Sequence, residues 1–265
     1  MTTIVRIPRA HDSSPGIEAM RQAWDTRAQT NLLYSIDAQN RHWAVEDFYA
    51  RGPALVAEFV DPVLEALGVD PAGLRVLEIG CGIGRLFAGL AERFGEVWGT
   101  DISRTMIEYG QLHCPVSAIW LLGDGTSLHG IDDCSVDHVL SYEVFGHIPD
   151  LDVIHGYLAE TFRVLRPGGT FQVQLRWRSD SVRQAMVRIL PRRLRRAVGS
   201  LLQRGRIVPV EGDIDTWLGR LVPPKASTAF VRELGFVELT TFPSDPERKG
   251  SRRVRGYWLA GRRPA

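Results

Sequence analysis

From residue 75 onward, short apolar and β-branched runs alternate with segments whose apolar residues recur at helical spacing. The runs predicted to form strands are 75–80, 97–101, 118–122, 136–141, 171–175, 236–242 and 254–259. Strands that alternate with helices form βαβ units, which bury a parallel sheet between two layers of helices. The sequence therefore predicts an α/β fold with a doubly wound sheet.

Two segments lie outside this alternation. Residues 1–16 are rich in Pro, Ser and Gly and predict a flexible tail, whereas residues 17–69 predict a helical cap. The main domain is then predicted over 70–265, with a helical insertion at 178–224. In the insertion, apolar residues recur about every fourth position between arginines, which predicts two amphipathic helices divided at Pro191.

Charge is distributed unevenly along the chain. The net charge is +1 at pH 7, but residues 176–206 hold ten Arg and one Asp, and residues 247–265 hold seven basic residues and one Glu. The remainder is acidic, and no known nucleic-acid-binding module is visible. We therefore expect no nucleic-acid partner.

Composition indicates the size of the core and the cellular compartment in which the protein is expected. A chain of 265 residues, 44% of them hydrophobic, can form a large core. No run approaches the ~20 apolar residues of a membrane span, and the first 15 residues lack the apolar core of a secretion signal. Cys81, Cys114 and Cys134 lack metal-ligand spacing and are too few for a disulfide framework. We expect a reduced, cytoplasmic protein without a bound metal.

A glycine-rich turn follows the first predicted strand. Gly80, Gly82 and Gly84 let the backbone turn tightly and let a ligand approach closely. At the switch point of an α/β sheet, such a turn is where a nucleotide-like ligand binds. The dinucleotide fingerprint needs a third glycine where this chain has Arg85, and Glu78 would repel a pyrophosphate. The turn therefore favours a ligand with a cationic amino-acid end over a nicotinamide dinucleotide.

Carboxylates also follow the next two strands. Asp101 ends the second strand, about 20 residues after the glycines, where a carboxylate accepts hydrogen bonds from ribose hydroxyls. Asp124 follows the third strand, placed to accept a hydrogen bond from an adenine amino group. The alternative for either aspartate alone is a cap of its own turn. Together with Glu78, they indicate one nucleoside site after three successive strands.

With these features the chain resembles the class I S-adenosylmethionine-dependent methyltransferases over about residues 70–177. The matching stretches are 76–84 (VLEIGCGIG), 101–103 (DIS), 123–125 (GDG), 141–148 (SYEVFGHI) and 165–169 (LRPGG). The resemblance implies a Rossmann-like sheet of seven strands with an antiparallel last strand. It also implies S-adenosyl-L-methionine as cofactor and S-adenosyl-L-homocysteine as product.

The resemblance further assigns residues to the cofactor. The expected cofactor-binding residues are Glu78, Gly80, Cys81, Gly82, Gly84, Asp101, Ile102, Met106, Asp124, Gly125, Thr126 and Ser141. Among them, Ile102 and Met106 would pack on the adenine, with ordinary helix packing as the alternative.

Methyl transfer from a sulfonium is an in-line displacement, which requires an aligned acceptor and exclusion of water. A hydroxyl acceptor also needs a base as its proton leaves. Tyr142, Glu143 and His147 follow the fourth strand, and His147 is the first candidate because an imidazole titrates near pH 6.5. The alternatives are a helix-capping role for His147 and a contact of Glu143 with the cofactor's ammonium group.

The acceptor pocket is expected to form from the cap and the insertion. The cap aromatics that would line it, or else pack the cap itself, are Trp24, Tyr34, Trp43, Phe48 and Tyr49. Three interpretations of the insertion stay open: a lid, a peripheral membrane contact through Arg-rich 183–206, and recognition of an anionic acceptor by arginines.

The sequence therefore predicts a methyltransferase that acts on a small-molecule acceptor. A hydroxyl of a natural product or sugar is expected, by likeness to methyltransferases of that type. A second interpretation is methylation of a lipid or lipid-linked glycan at a membrane surface. A third is a protein that binds the cofactor without catalysis.

Overall fold

The predicted alternation builds one central sheet. The computed structural model describes residues 5–6, 15–37, 40, 42–178, 219–244 and 254–265. Its strands are β1 (Val5–Arg6), β2 (Arg75–Ile79), β3 (Glu96–Asp101), β4 (Ile119–Leu122), β5 (Val136–Ser141), β6 (Leu165–Arg178), β7 (Val237–Pro243) and β8 (Val254–Arg262). They are ordered β1-β4-β3-β2-β5-β6-β8-β7, and β8 is antiparallel to both of its neighbours. The seven predicted strands and the antiparallel last strand are confirmed.

Helices cover both faces of the sheet. They are α1 (Pro15–Ile36), α2 (Val45–Ala50), α3 (Gly52–Phe59), α4 (Asp61–Ala66), α5 (Phe87–Ala91), α6 (Arg104–His113), α7 (Leu151–Val164) and α8 (Pro224–Glu233), with a 3₁₀ turn at Phe145–His147. Ser103 caps α6, because its hydroxyl oxygen accepts a hydrogen bond from the Met106 N–H. The α1 helix is interrupted at Asn31, whose φ of −156° is not helical.

Successive side chains of β2 point to opposite faces of the sheet. Leu77 and Ile79 belong to the apolar cluster that includes α7 and α8, whereas Val76 belongs to the cluster that includes α3 to α6. Glu78 lies two residues after Val76 in the same strand, so both side chains point to the same face. Its carboxyl therefore lies on the face that carries the helical cap.

The N-terminal segment differs from the prediction of a flexible tail. Val5 and Arg6 form a parallel edge strand that pairs with Leu121 and Leu122 of β4, and α1 already begins at Pro15. An open strand edge offers unpaired N–H and C=O groups, so even two residues can extend the ladder. The sheet consequently has eight strands rather than seven.

Most of the predicted insertion lies outside the described residues. This applies to the two amphipathic helices, the division at Pro191 and the membrane contact through 183–206. The described end of the insertion returns beside the 3₁₀ turn, where the Gly219 N–H donates to the Gly146 carbonyl at 2.9 Å. Within the described ranges, no helix has the length and apolar character needed to cross a membrane.

Candidate functional site

The glycine turn is fixed to the carboxyl end of β3. The N–H groups of Gly80 and Cys81 both donate to the Thr100 carbonyl, at 2.7 and 3.1 Å. Gly80 has a φ of +73°, and a Cβ at this position would lie 2.2 Å from Val144 Cγ2. The turn is thus pressed against the loop that follows β5, which only glycine permits here.

The other two glycines have different surroundings. A Cβ at Gly82 would meet Ile36 of α1 at 3.5 Å and Met106 of α6 at 3.7 Å, which are ordinary contacts. A Cβ at Gly84 would lie 2.5 Å from the Trp120 ring. Gly84 therefore serves core packing, whereas a Cβ at Gly82 would contact α1 and α6 without a clash. Met106 is itself buried.

Glu78 is the most unusual polar group of the site. Only 4% of the residue is exposed, and its Oε2 has no hydrogen-bond partner among the described residues. Burial raises the pKa of this carboxyl to about 8; the Arg85 charge opposes the shift and the Asp101 charge adds to it. An unpaired buried carboxyl oxygen costs free energy, so it marks a place where a ligand donor would be stabilised.

Asp101 lies beside the same turn. Its Oδ2 accepts a hydrogen bond from the Gly82 N–H at 2.8 Å, and its Oδ1 accepts from the Ser103 N–H at 2.8 Å. Burial raises the pKa of this carboxyl to about 6, against the effect of these backbone hydrogen bonds. Each carboxylate oxygen has a further lone pair, so Asp101 can still accept from two hydroxyl groups.

Asp124 caps its own turn. Its Oδ1 accepts from the Thr126 N–H at 2.7 Å and the Ser127 N–H at 2.8 Å, and its Oδ2 accepts from the Ser127 hydroxyl at 2.9 Å. The Thr126 hydroxyl also donates to Oδ1, at 3.0 Å. Ser141 is likewise engaged, because its hydroxyl donates to the Ile79 carbonyl at 3.0 Å. These side chains shape the site, and Asp124 Oδ2 keeps acceptor capacity for a ligand.

Three segments converge at the predicted adenine end of the site. A Cβ at Gly125 would lie 2.4 Å from Ile102 Cδ1 and 3.1 Å from Ile17 Cγ2, so the loops after β3 and β4 meet α1 here. Tyr157 of α7 also faces this end, since burial and then the charge of Asp124 raise the pKa of its phenol. Sequence reasoning missed Tyr157, because its position in α7 has the spacing of an ordinary core residue.

The α1 helix is tied across these loops by polar contacts. Asp25 Oδ1 accepts from the Ser103 hydroxyl at 2.6 Å and from the Thr105 N–H at 3.2 Å. Arg21 donates to the Asp124 carbonyl at 3.0 Å. Sequence reasoning did not identify Asp25 or Arg21, because no local pattern links α1 to loops so distant in the chain. The cap thus covers the nucleoside site as well as the predicted acceptor side.

His147 lies in the 3₁₀ turn against the cap. Its ring packs edge-to-face on Trp24 of α1, with centroids 5.4 Å apart at 87°. The end of the insertion passes alongside at Gly219. The 3₁₀ turn therefore lies between α1 and the end of the insertion, and His147 is half-buried.

The cap aromatics divide into two groups. Phe48 and Tyr49 are buried, and the Tyr49 hydroxyl donates to the Ile83 carbonyl at 2.9 Å, so these two pack the cap. Trp24 instead reaches His147.

Glu143 adopts an unusual backbone conformation. Its φ is +58°, a region that non-glycine residues rarely occupy. Gln174 of β6 accepts a hydrogen bond from the Glu143 N–H at 2.9 Å, and Arg176 of the same strand forms a salt bridge with the Glu143 carboxylate. The β6 strand therefore sets the position of Glu143, and such local strain is typical of functional loops.

Tyr142 is packed among aromatic rings. Its ring stacks with Phe59 at 5.3 Å and Trp258 at 5.8 Å between centroids. Burial raises the pKa of its phenol to about 12. A phenol that keeps its proton at neutral pH is a poor base, so the geometry favours His147 over Tyr142 in that role.

An ion cluster joins Arg85 to the cap. Asp37 Oδ2 accepts from Arg85 at 2.8 Å and from Arg51 at 2.9 Å. The Arg85 guanidinium also lies 5.7 Å from the Tyr142 ring centroid. Arg85 was visible in the sequence only as a departure from the dinucleotide fingerprint, and nothing near Asp37 indicated its partner.

The donor set fits the amino-acid end and the nucleoside of S-adenosyl-L-methionine. An uncompensated carboxyl suits an ammonium group, and Asp101 suits a ribose. In the described part of the chain, no group of three or more His, Cys, Asp and Glu residues is arranged to hold a metal ion.

Comparison with known proteins agrees with this geometry. Residues 77–173 match the family model of a methyltransferase domain. The ubiquinone biosynthesis O-methyltransferase of Mesorhizobium japonicum is 32% identical over 125 residues, which are 44% of this chain and 49% of the relative. The chain thus spans about half the length of the curated relatives it matches.

Solved structures share the fold. Magnesium protoporphyrin IX methyltransferase from Synechocystis PCC 6803, with bound S-adenosylhomocysteine, has a TM-score of 0.59 at 18% identity, covering 94% of this chain and 99% of that one. The cyclase SpnF has a TM-score of 0.60 at 15% identity, covering 97% and 100%. These likenesses concern the fold alone.

Proposed function

We propose that this chain, whose residues 77–173 match a methyltransferase domain, transfers the methyl group of S-adenosyl-L-methionine to a hydroxyl of a small molecule. The observation that carries the proposal is the Glu78 carboxyl beside the glycine turn, buried and with no partner for Oε2 among the described residues. The cofactor's ammonium group supplies that partner. An ionised pyrophosphate has neither a hydrogen-bond donor nor a positive charge to offer that oxygen.

The proposed binding residues correspond to three parts of the cofactor. Glu78 would hold the ammonium, and Asp101, kept in place by its backbone contacts, would accept hydrogen bonds from the ribose hydroxyls. Ile102 and Met106 would flank the adenine, and Asp124 Oδ2 would accept from its amino group. The glycine turn lets the backbone approach the methionine portion.

The chain's contribution to the reaction is alignment and proton transfer. When bound, the cofactor supplies a methyl group already activated on a sulfonium. Trp24 holds the His147 ring edge-to-face, so that the imidazole takes up the proton of the acceptor hydroxyl. We assign this step to His147, because Arg176 engages the Glu143 carboxylate and Tyr142 retains its proton. The α1 helix excludes water from the site.

Oxygen as the accepting atom is supported by the curated relatives, which are named O-methyltransferases. A natural product or sugar remains the prediction of the sequence for the acceptor itself. A lipid acceptor depends on residues 183–206, which lie outside the described residues. The proposed setting is the cytoplasm, in keeping with the free thiols of Cys81, Cys114 and Cys134.

Cofactor choice is tested by calorimetry with S-adenosyl-L-homocysteine and NAD. We expect S-adenosyl-L-homocysteine to bind. Asp101→Ala is expected to raise its Kd about 10- to 100-fold, because two hydrogen bonds to a charged group are lost. Glu108→Ala, which removes an exposed carboxylate paired with Arg104, is the control variant. Tighter binding of NAD than of S-adenosyl-L-homocysteine would overturn the proposed function.

A further inference from the structure

Arg85 is directed away from Glu78 by a third residue. The Arg85 side chain is 10% exposed, and its guanidinium donates to Asp37 Oδ2 in the cap at 2.8 Å. Arg51 donates to the same oxygen at 2.9 Å. One carboxylate therefore faces two guanidinium groups, which draws Arg85 toward the cap and leaves Glu78 Oε2 without a partner among the described residues.

The groups around Glu78 come from several elements. Arg85 and Cys81 lie on the glycine turn and its continuation, Asp101 ends β3, and Cys114 follows α6. Asp101 repels a negative charge on Glu78, and burial raises the pKa of both thiols, which keeps both cysteines uncharged. Arg85 is the nearby cation, and its hydrogen bond goes to Asp37 rather than to Glu78.

We propose that Asp37 is a positioning residue that withholds Arg85 from Glu78, so that Glu78 meets the cofactor as an uncharged carboxyl and loses its proton when the ligand's ammonium arrives. This inference rests on the proposed function, because it concerns the same cofactor site. The raised pKa of Glu78, about 8, agrees with the geometry. A buried carboxyl without a charge partner favours its neutral form.

The proton balance is simple. Before binding, Glu78 carries a proton at pH 7. The ligand's ammonium keeps its own protons and donates a hydrogen bond to the carboxylate, while the Glu78 proton passes to the buffer. Binding of the amino-acid end therefore releases close to one proton at pH 7, and affinity rises with pH until Glu78 is ionised in the free protein.

Calorimetry in two buffers measures this proton directly. S-adenosyl-L-homocysteine is titrated into the full chain at pH 7 in phosphate and in Tris, whose ionisation enthalpies differ. We expect a release close to one proton, and none with 5′-methylthioadenosine, which lacks the amino-acid end. S-adenosyl-L-homocysteine that binds without proton release contradicts this inference alone. If it does not bind at all, the proposed function itself fails.

Variants then test the role of Asp37. In Asp37→Asn the amide holds guanidinium groups less well, so Arg85 pairs with Glu78 and ionises it in advance. We expect proton release to fall toward zero and the Kd for S-adenosyl-L-homocysteine to rise about tenfold, because the ligand competes with a buried ion pair. Asp37→Glu, which keeps the charge, is expected to restore proton release.

A matched substitution controls for the loss of an Arg–Asp pair. Asp61 accepts from Arg93 at 2.7 Å, away from the site. Asp61→Asn is expected to leave proton release and affinity unchanged. Full proton release by folded Asp37→Asn protein would overturn the role of Asp37. If that variant does not fold, calorimetry on the natural sequence still tests whether binding releases a proton.

Discussion

At the scale of single residues, the site is built from carboxyl groups that are satisfied to different degrees. Asp124 accepts four hydrogen bonds within its own turn, Asp101 accepts two from backbone N–H groups, and Glu78 Oε2 accepts none among the described residues. The sequence placed all three at strand ends. The sequence could not show which carboxyl lacks hydrogen-bond partners, because those partners come from distant parts of the chain. Asp37, which binds Arg85, is one example.

The unsatisfied carboxyl has a consequence for stability. Because the folded-state pKa of Glu78 is raised to about 8 from 4.5, ionisation opposes folding, and this cost accumulates as pH rises between these two values. We predict that Glu78→Gln unfolds at nearly the natural temperature at pH 5 but several degrees higher at pH 9, in ligand-free protein. Thermal unfolding followed by circular dichroism checks this.

Glu108→Gln is the control for this prediction, because Glu108 lies on an exposed part of α6 and pairs with Arg104 at 3.6 Å. A difference between Glu78→Gln and the natural protein that stays constant from pH 5 to pH 9 would show that Glu78 is not held in its neutral form.

His147 gives the second residue-scale prediction. His147→Ala is expected to lower kcat about 10²- to 10⁴-fold, the usual contribution of a general base, while the Kd for S-adenosyl-L-homocysteine stays unchanged. His155→Ala removes a histidine that stacks on Phe230 outside the site and is expected to keep full activity. Near-normal turnover of His147→Ala across pH 6–9 would remove His147 from the mechanism.

At the scale of elements, periodicity is a reliable guide where an element buries a regular face. The β2 to β8 strands and the helices between them follow from alternating and helical spacing. The β1 strand was missed, since two residues carry no periodicity and are ordered by the open edge of β4. The amphipathic helices expected in 178–224 stay a prediction.

The glycine turn offers a matched pair of substitutions. Both Gly80 and Gly82 have positive φ, which costs a Cβ-bearing residue about 1–2 kcal/mol. At Gly80 the Cβ also meets Val144 at 2.2 Å, whereas at Gly82 it meets only ordinary contacts. We predict that Gly80→Ala destabilises the protein by a further ~1–3 kcal/mol relative to Gly82→Ala. Urea denaturation measures both, and equal losses would contradict the tight contact with Val144.

We predict that α1, which belongs to the cap, also contributes to cofactor binding. Asp25→Ala removes the acceptor of the Ser103 hydroxyl and the Thr105 N–H. We expect the Kd for S-adenosyl-L-homocysteine to rise about 3- to 10-fold, equivalent to roughly 1 kcal/mol. Gln22→Ala, on the exposed side of the same helix, is expected to leave the Kd unchanged. An unaltered Kd in Asp25→Ala would mean that α1 does not close the nucleoside site.

At the scale of the whole molecule, the sequence predicted the sheet and the region of the cofactor site because both follow from local motifs in strand order. It did not predict how the cap is tied to the sheet. Asp25, Arg21 and Asp37 act on loops that lie far from them in the chain, and each is an unremarkable polar residue in its own segment.

The most direct test of the central claim is acceptor-dependent product formation. The purified chain is incubated with methyl-labelled S-adenosyl-L-methionine and an extract of its native cells, and S-adenosyl-L-homocysteine and the labelled product are quantified by mass spectrometry. We predict equal amounts of the two, with the label on an oxygen of a small molecule, and less of both with Asp101→Ala. Intact cofactor binding without any labelled product from extracts that contain the natural acceptors would contradict the account.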